Sequence, residues 1–387
     1  MKKLPLLIKL FIAIGAGVLI GCFLPAPVIR VLNSFSATFG QFIRFIVPFI
    51  IVGLVTPAIA EAGRSAGRLL LMTMALAYAS TLLSGAFAFF VSQSVFASFL
   101  GGGTLSGNIA ANEFSPYFKF AVPPVMDVTT ALAVSFMFGL GMASFRSETL
   151  ERAFCEMKEI VTKTIAAALV PFLPLYILAV MADLTASGKL AVVGGSCVKI
   201  MLVAVATSLA VLVFQYSAAG FLARRNPFKA LAKMLPAYFT GWGSCSSAAT
   251  IPVTLNCTKS NGISDEVADI VIPLCANIHL SGSMSNMVVY AAGLMVLSGE
   301  ATPPGAFAEF IFMVSVVAVA SPGVPGGVVL ACSTITEIAL GFSPERYALM
   351  IAIYMALDGM GTACNLTGDG AIAMIVERFK SPRPSKI

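Results

Sequence analysis

Asp358-Gly-Met-Gly-Thr362-Ala-Cys-Asn365-Leu-Thr-Gly-Asp369 puts polar chemistry inside an otherwise apolar segment. Tyr347-Ala-Leu-Met-Ile-Ala-Ile-Tyr-Met-Ala-Leu precedes it and Ala371-Ile-Ala-Met-Ile-Val follows it. The spacing i, i+4, i+7, i+11 lays Asp358, Thr362, Asn365 and Asp369 along one stripe of a 3.6-residue helix. Two carboxylates, an amide and a hydroxyl at membrane depth are costly, and such residues face a bundle interior or a wet cavity and mark an ion or substrate path. The competing reading is a structural seam that pins one helix to another. Two acids with no Arg or Lys on the same face argue against it, because they need a cation from elsewhere.

Composition sets the class. Of 387 residues, 58% are hydrophobic and 11% charged, less than half the charge of a typical soluble domain. With a mean hydropathy of +0.94 this reads as an integral membrane protein, long enough for about eight to ten crossings of about 20 residues each. One His, one Trp and eight Cys are scattered without metal-ligand spacing or a paired framework, which excludes a zinc site and a disulfide scaffold as organising features. The net charge of +6 calls for no nucleic-acid partner, because the basic residues sit where membrane topology wants them. The start, Met1-Lys-Lys-Leu-Pro with an apolar run to Cys22, also fits a lipoprotein signal. The next apolar span begins within a dozen residues, so a first transmembrane helix is expected.

Apolar spans fall at about 4–24, 34–60, 69–98, 117–144, 157–184, 190–222, 264–297 and 346–377, with interrupted segments at about 228–260 and 304–342. With the N-terminus inside, eighteen Lys and Arg collect on the cytoplasmic side against four outside (Arg30, Lys119, Lys189 and Arg346). That is a strong positive-inside bias, and it predicts eight spans with both termini cytoplasmic. The first interrupted segment holds Gly241-Trp-Gly-Ser-Cys-Ser-Ser-Ala-Ala-Thr-Ile-Pro252, the second Ser321-Pro-Gly-Val-Pro-Gly-Gly327. Their apolar arms are too short to cross singly, and Gly, Pro and Ser at that depth are tolerable only where open backbone is buried or lines a cavity. Two re-entrant hairpins are therefore expected.

Each hairpin precedes a long helix expected to break at a polar motif: Asn277-Ile-His279-Leu-Ser281-Gly-Ser283 after the first, the Asp358–Asp369 stripe after the second. By parity the hairpins enter from opposite sides. Hairpin plus broken helix, repeated in inverted orientation, is the pattern of a secondary transporter with its site near the midplane. Opposed tips offer N–H groups to an anion, and unwound carbonyls can hold a cation. No GxxxxGK[ST] motif is present, which disfavours ATP-driven transport.

Four stretches resemble the dicarboxylate/amino acid:cation symporter family, the glutamate and neutral amino acid transporters. They are Phe42-Ile-Arg-Phe-Ile-Val-Pro48, Ser244-Cys-Ser-Ser-Ala-Ala-Thr-Ile-Pro-Val-Thr-Leu255, Ser321-Pro-Gly-Val-Pro-Gly-Gly327 and Asn365-Leu-Thr-Gly-Asp369. The resemblance runs along most of the chain and is strongest from about 235 to 377. It implies an all-α membrane protein with eight transmembrane helices and two re-entrant hairpins, trimeric, in the bacterial inner membrane. Residues 1–66 would supply scaffold helices 1 and 2, and 67–98 helix 3 of a moving transport domain. Residues 99–189 would supply scaffold helices 4 and 5, and 190–387 the core of an elevator-type transport domain. The resemblance implies that backbone at Ser246 and Ser247 and at Val324, Pro325 and Gly326 holds a substrate α-carboxylate. Asp358 would then receive the α-amino group beside Thr362 and Asn365, while Asp369 and Asn365 hold sodium, with Ser321 near the cation path.

Two departures shape the functional expectation. Acidic-substrate members carry an Arg where this chain has Gly361, and some prokaryotic members an Arg where it has Cys245. An acidic side chain would meet no cation here, leaving its desolvation uncompensated. A cation-coupled symporter of a small neutral amino acid such as Ser, Thr, Ala or Cys is expected, with a dicarboxylate or acidic amino acid as the alternative. The family's seventh-helix N-M-D-G-T reads His279-Leu-Ser281-Gly-Ser283, so the sodium site built on that Asn and Asp is expected to be absent or changed. His279 could serve proton coupling, stand in for an ion, or be a neutral hydrogen-bonded imidazole. The coupling ion is thus Na⁺ or H⁺, with no other cofactor.

The remaining candidates have plainer readings. Asp127 is expected to cap a helix, Trp242 to pack, and Glu309 and Glu337 to lie at an interface. Loop 99–116, rich in Gly, Ser and Asn, is expected outside the membrane. An anion-conducting channel is the rival from another class, since broken hairpins also build filters. An intramembrane enzyme is not supported: both acids lie on one helix, and no H-E-x-x-H helix exists.

Overall fold

A computed structural model of the chain describes residues 6–64, 68–100, 114–118, 120, 122–145, 147–188, 190–319, 321 and 326–380. Loop residues 101–113 and the tip residues Val324 and Pro325 lie outside the described set. Among the described residues every regular element is helical. The first half comprises α1 (Leu6–Phe23), α2 (Ala26–Arg64), α3 (Arg68–Phe99), α4 (Val128–Phe145), α5 (Glu148–Thr164), α6 (Leu173–Ala186) and α7 (Leu190–Ala223). The second comprises α8 (Pro227–Lys233), α9 (Leu235–Ser244), α10 (Ser247–Ser260), α11 (Asp265–Ile278), α12 (Ser281–Leu297), α13 (Pro304–Val319), α14 (Gly327–Ala331), α15 (Ser333–Leu340) and α16 (Pro344–Lys380).

Local sequence explains the boundaries. Asp127 starts α4 as expected, accepting the Thr130 N–H at 2.7 Å. Asn226 caps α8 ahead of Pro227, accepting from the Lys229 N–H at 3.0 Å. Between α9 and α10 the chain turns over two residues: Cys245 closes α9 in the left-handed region (φ 50°), and Ser246 caps α10.

Four continuous helices, together with the α11–α12 unit, are long and apolar enough to cross a membrane, and a sixth candidate is the bent pair formed by α5 and α6. The 45° bend in that pair departs from the straight span expected at 157–184. A π-turn at Ile165–Leu169 and Pro171 and Pro174 account for it, since each disturbs the i→i−4 ladder. The remaining two of the eight expected spans correspond to α1 and α4, of 18 residues each, about 27 Å at 1.5 Å per residue. The paired arms α9 and α10, of 10 and 14 residues, are too short to cross singly.

The break expected in the last helix is absent. α16 runs unbroken for 37 residues through Gly359, Gly361, Gly368 and Gly370. Those glycines admit neighbours rather than interrupt the helix. A Cβ at Gly359 would collide with the Trp242 carbonyl, and one at Gly370 would stand 2.6 Å from the Tyr216 hydroxyl. Close approach through small residues is how helices associate without a hydrophobic driving force between them.

Helices group by contact. α1 lies along α6, and α2 along α4, α5 and α6, while α7, α9, α10, α11 and α12 surround α16 and α3 packs on α12. The groups meet where α1 and α6 touch α16 and where α2 touches α13, α14 and α15. There Arg44 pairs with Glu337 at 3.0 Å; a half-exposed pair of this kind contributes about 0–1 kcal/mol. Arg346, counted among the outer-side cations, is buried against Glu300 in a two-pronged ion pair. Trp242 stacks on Phe239 with ring centroids 6.4 Å apart, the packing role expected of it.

The α1–α6 contact depends on glycine. A Cβ at Gly21 would stand 2.5 Å from the Ala182 carbonyl, whereas nothing lies within 4 Å of one at Gly15. Gly21→Val is therefore expected to destabilise the protein by about 1–3 kcal/mol, read as a lower melting temperature in detergent, with Gly15→Ala unchanged. Equal behaviour of the two variants would show that α1 does not press on α6.

Candidate functional site

The stripe on α16 faces inward as its period requires: Asp358, Thr362, Asn365 and Asp369 are 8%, 7%, 3% and 0% exposed. Around it converge the α9–α10 turn, the break between α11 and α12, and the segment entering α14. Asp358, Thr362 and Asn365 line one cavity of about 100 Å³ together with Cys245, Ser246, Ser247 and Ser321. That volume is well below the roughly 300–1,000 Å³ of drug-sized pockets, so only a small molecule fits.

Three contacts set the geometry. First, Gly326 donates its backbone N–H to Asp358 Oδ2 at 2.8 Å. Gly326 has φ 75°, a conformation few side chains tolerate, and a Cβ there would press on the Met355 sulfur. Second, α11 stops at Ile278, and His279 and Leu280 are non-helical. Restarting at Ser281 leaves first-turn N–H groups of α12 without intrahelical partners. Asn365 Oδ1 accepts from the N–H of Gly282 at 2.7 Å and of Ser283 at 3.2 Å, and its Nδ2 donates to Ser283 Oγ at 3.0 Å. Thr81 Oγ1 accepts the Leu280 N–H at 3.2 Å. Third, α10 begins at Ser247 in the cavity wall. Its first-turn N–H groups and positive dipole end make that wall suited to an anion.

Asp369 and His279 lie apart from the cavity. Both are 0% exposed, with His279 Nδ1 2.9 Å from Asp369 Oδ1. Asp369 Oδ2 and the Ser281 hydroxyl are buried with no hydrogen-bond partner among the described residues. An orphaned, fully buried carboxylate oxygen is the donor atom that fits a cation. Asn365, which the resemblance groups with Asp369 around sodium, turns its carbonyl toward the start of α12.

Gly361 does not line the cavity; a Cβ there would stand 3.1 Å from Asn286 Nδ2 and 3.5 Å from Ser283 Oγ. Val324 and Pro325 fall outside the described residues. Several participants were not singled out from sequence. Tyr354 lines the cavity one turn before Asp358 on the same stripe, so the period could have found it. Asn286, which accepts from Ser208 Oγ at 3.0 Å, and Ser80, Thr81 and Gln215 are polar residues scattered among others in apolar helices, with no period that marks them.

The family model of the sodium:dicarboxylate symporter family matches residues 6–379. The serine/threonine transporter SstT of Acinetobacter baumannii (strain AYE) is 26% identical over 386 residues, covering 95% of each chain. Excitatory amino acid transporter 2 of Homo sapiens is 32% identical over 155 residues, 40% of this chain and 27% of that protein. Neutral amino acid transporter A of Homo sapiens is 27% identical over 164 residues, 42% of this chain and 31% of that protein. The chain thus spans less than a third of the length of these two human relatives.

Asn365→Leu removes the acceptor for two buried N–H groups, a loss of about 1–3 kcal/mol for each group left unpaired. The expected outcome is a lower melting temperature together with faster hydrogen exchange in a peptide spanning 280–286. Unchanged exchange in that peptide would show that Asn365 does not hold the start of α12.

Proposed function

The chain belongs to the sodium:dicarboxylate symporter family, and from that premise we propose that it is a secondary transporter of a small neutral amino acid coupled to a cation. The observation that carries the reading is the chemistry of the small cavity. It holds one carboxylate, Asp358, faced by hydroxyls and by a helix start, and none of its described lining residues is basic. A zwitterion satisfies both ends: its ammonium on Asp358, its carboxylate at Ser246, Ser247 and the first turn of α10. A second carboxylate on the substrate would find no partner there. The names of the relatives support this class, serine, threonine and neutral amino acids among them.

Asp358 accepts from Gly326, so substrate and the second hairpin tip compete for or share one carboxylate. In this reading an ammonium arriving at Asp358 is sensed at once by Gly326, whose N–H shares that carboxylate. The cation rides at Asp369 through its unpartnered Oδ2. The packing of α1, α2 and α4–α6 chiefly on one another supports a scaffold beside a transport domain that moves as an elevator within a homotrimer, in an inner membrane with both termini cytoplasmic.

Proteoliposome uptake of labelled serine or alanine, driven by sodium, tests the substrate. Competition by small neutral amino acids and not by aspartate or succinate is expected; strong dicarboxylate transport without serine or alanine transport overturns the reading.

A further inference from the structure

His279 is the only histidine in the chain and stands in the break between α11 and α12. Its surroundings form a closed polar cell between four helical segments. From α16 comes Asp369, with Oδ1 2.9 Å from His279 Nδ1. From α3 comes Ser80, whose hydroxyl is 3.0 Å from Nε2, and from α7 comes Gln215, whose Nε2 is 3.3 Å away. Gln215 also donates to Ser80 Oγ at 2.9 Å. One set of proton positions satisfies these contacts: Gln215 donates to Ser80, Ser80 donates to Nε2, and Nδ1–H donates to Asp369. The ring needs room, and Gly368 supplies it, because a Cβ there would stand 2.6 Å from both His279 Cε1 and Gln215 Oε1.

Oxygens gathered at membrane depth from three helices around a carboxylate ordinarily need a cation. Here the polar centre is already filled by a side chain that presents a donor to the carboxylate and an acceptor to the hydroxyl. Only one Asp369 oxygen, Oδ2, remains without a partner. We propose that His279 is a built-in substitute for a coupling ion, leaving Asp369 able to take a single cation, so that this chain moves fewer ions per substrate than a relative with asparagine at that place. The inference rests on the proposed cation-coupled transport and concerns its ion count.

The test uses the full-length protein in detergent. Serine or alanine affinity is measured by calorimetry across sodium concentrations, with choline holding ionic strength. The slope of log Kd against log sodium counts the ions taken up with substrate, by the same mass-action linkage that ties ligand binding to stability, and about one is expected for wild type. His279→Asn, which vacates the cell, is expected to steepen the slope to about two, whereas His279→Gln keeps a donor of similar reach and should stay near one. A wild-type slope near zero or of two or more overturns the proposal without reference to any variant. So does a His279→Asn slope equal to that of wild type. Should no neutral amino acid bind, the failure belongs to the proposed substrate. Sodium-dependent melting temperatures without substrate then decide: a larger shift in His279→Asn than in wild type supports the proposal, and an equal shift overturns it.

Discussion

Two carboxylates buried on one apolar helix are the constraint to which the rest of the structure responds. Among the described residues neither Asp358 nor Asp369 has a Lys or Arg partner. A charge withdrawn from water without compensation costs far more than a folded chain's margin of stability. The fold therefore brings neutral dipoles to both. Asp358 receives a backbone N–H from Gly326, and Asp369 an imidazole from the break between α11 and α12. Each solution is partial: Asp358 opens on a cavity, and Asp369 keeps one oxygen free.

Supplying those dipoles requires helices that stop at membrane depth, and stopping exposes backbone. The α9–α10 turn, the α11–α12 break and the approach to α14 each free N–H groups that lipid cannot satisfy. The chain satisfies several of them from side chains on other helices. Asn365 on α16 caps α12, Thr81 on α3 holds Leu280, and Ser246 caps its own helix. Polar residues at the site thus divide between holding the backbone in place and facing the cavity, and their type does not reveal which task each performs.

That division marks what was legible in sequence. The 3.6 period of Asp358, Thr362, Asn365 and Asp369 was enough to place all four on one buried face, because periodicity is local. The short hairpin arms followed from length alone. Asn365 read as an ion ligand, and only the fold shows its carbonyl turned to α12, 83 residues away in sequence. The pairing of His279 with Asp369 spans 90 residues and depends on how α11 ends. Ser80 and Gln215 lie in long apolar helices that carry other Ser, Thr and Gln residues, and no repeat distinguishes them from incidental polar residues. The glycines of α16 read as a break because glycine weakens isolated helices. Close packing on both sides overrides that propensity.

Asn365 also sits where the two carboxylates can influence one another. It lies between Asp358 and Asp369 on the stripe, lines the cavity, and holds the first turn of α12. His279, which contacts Asp369, is separated from that turn by Leu280 alone. A shift of His279 toward or away from Asp369 therefore has a short mechanical route to Ser283, and Ser283 lines the same cavity as Asp358. Coupling between an ion at one carboxylate and a substrate at the other needs a rigid link with few joints. The restart of α12, clamped by one amide, is such a link, which is a physical reason to end a helix at His279 rather than run it straight through.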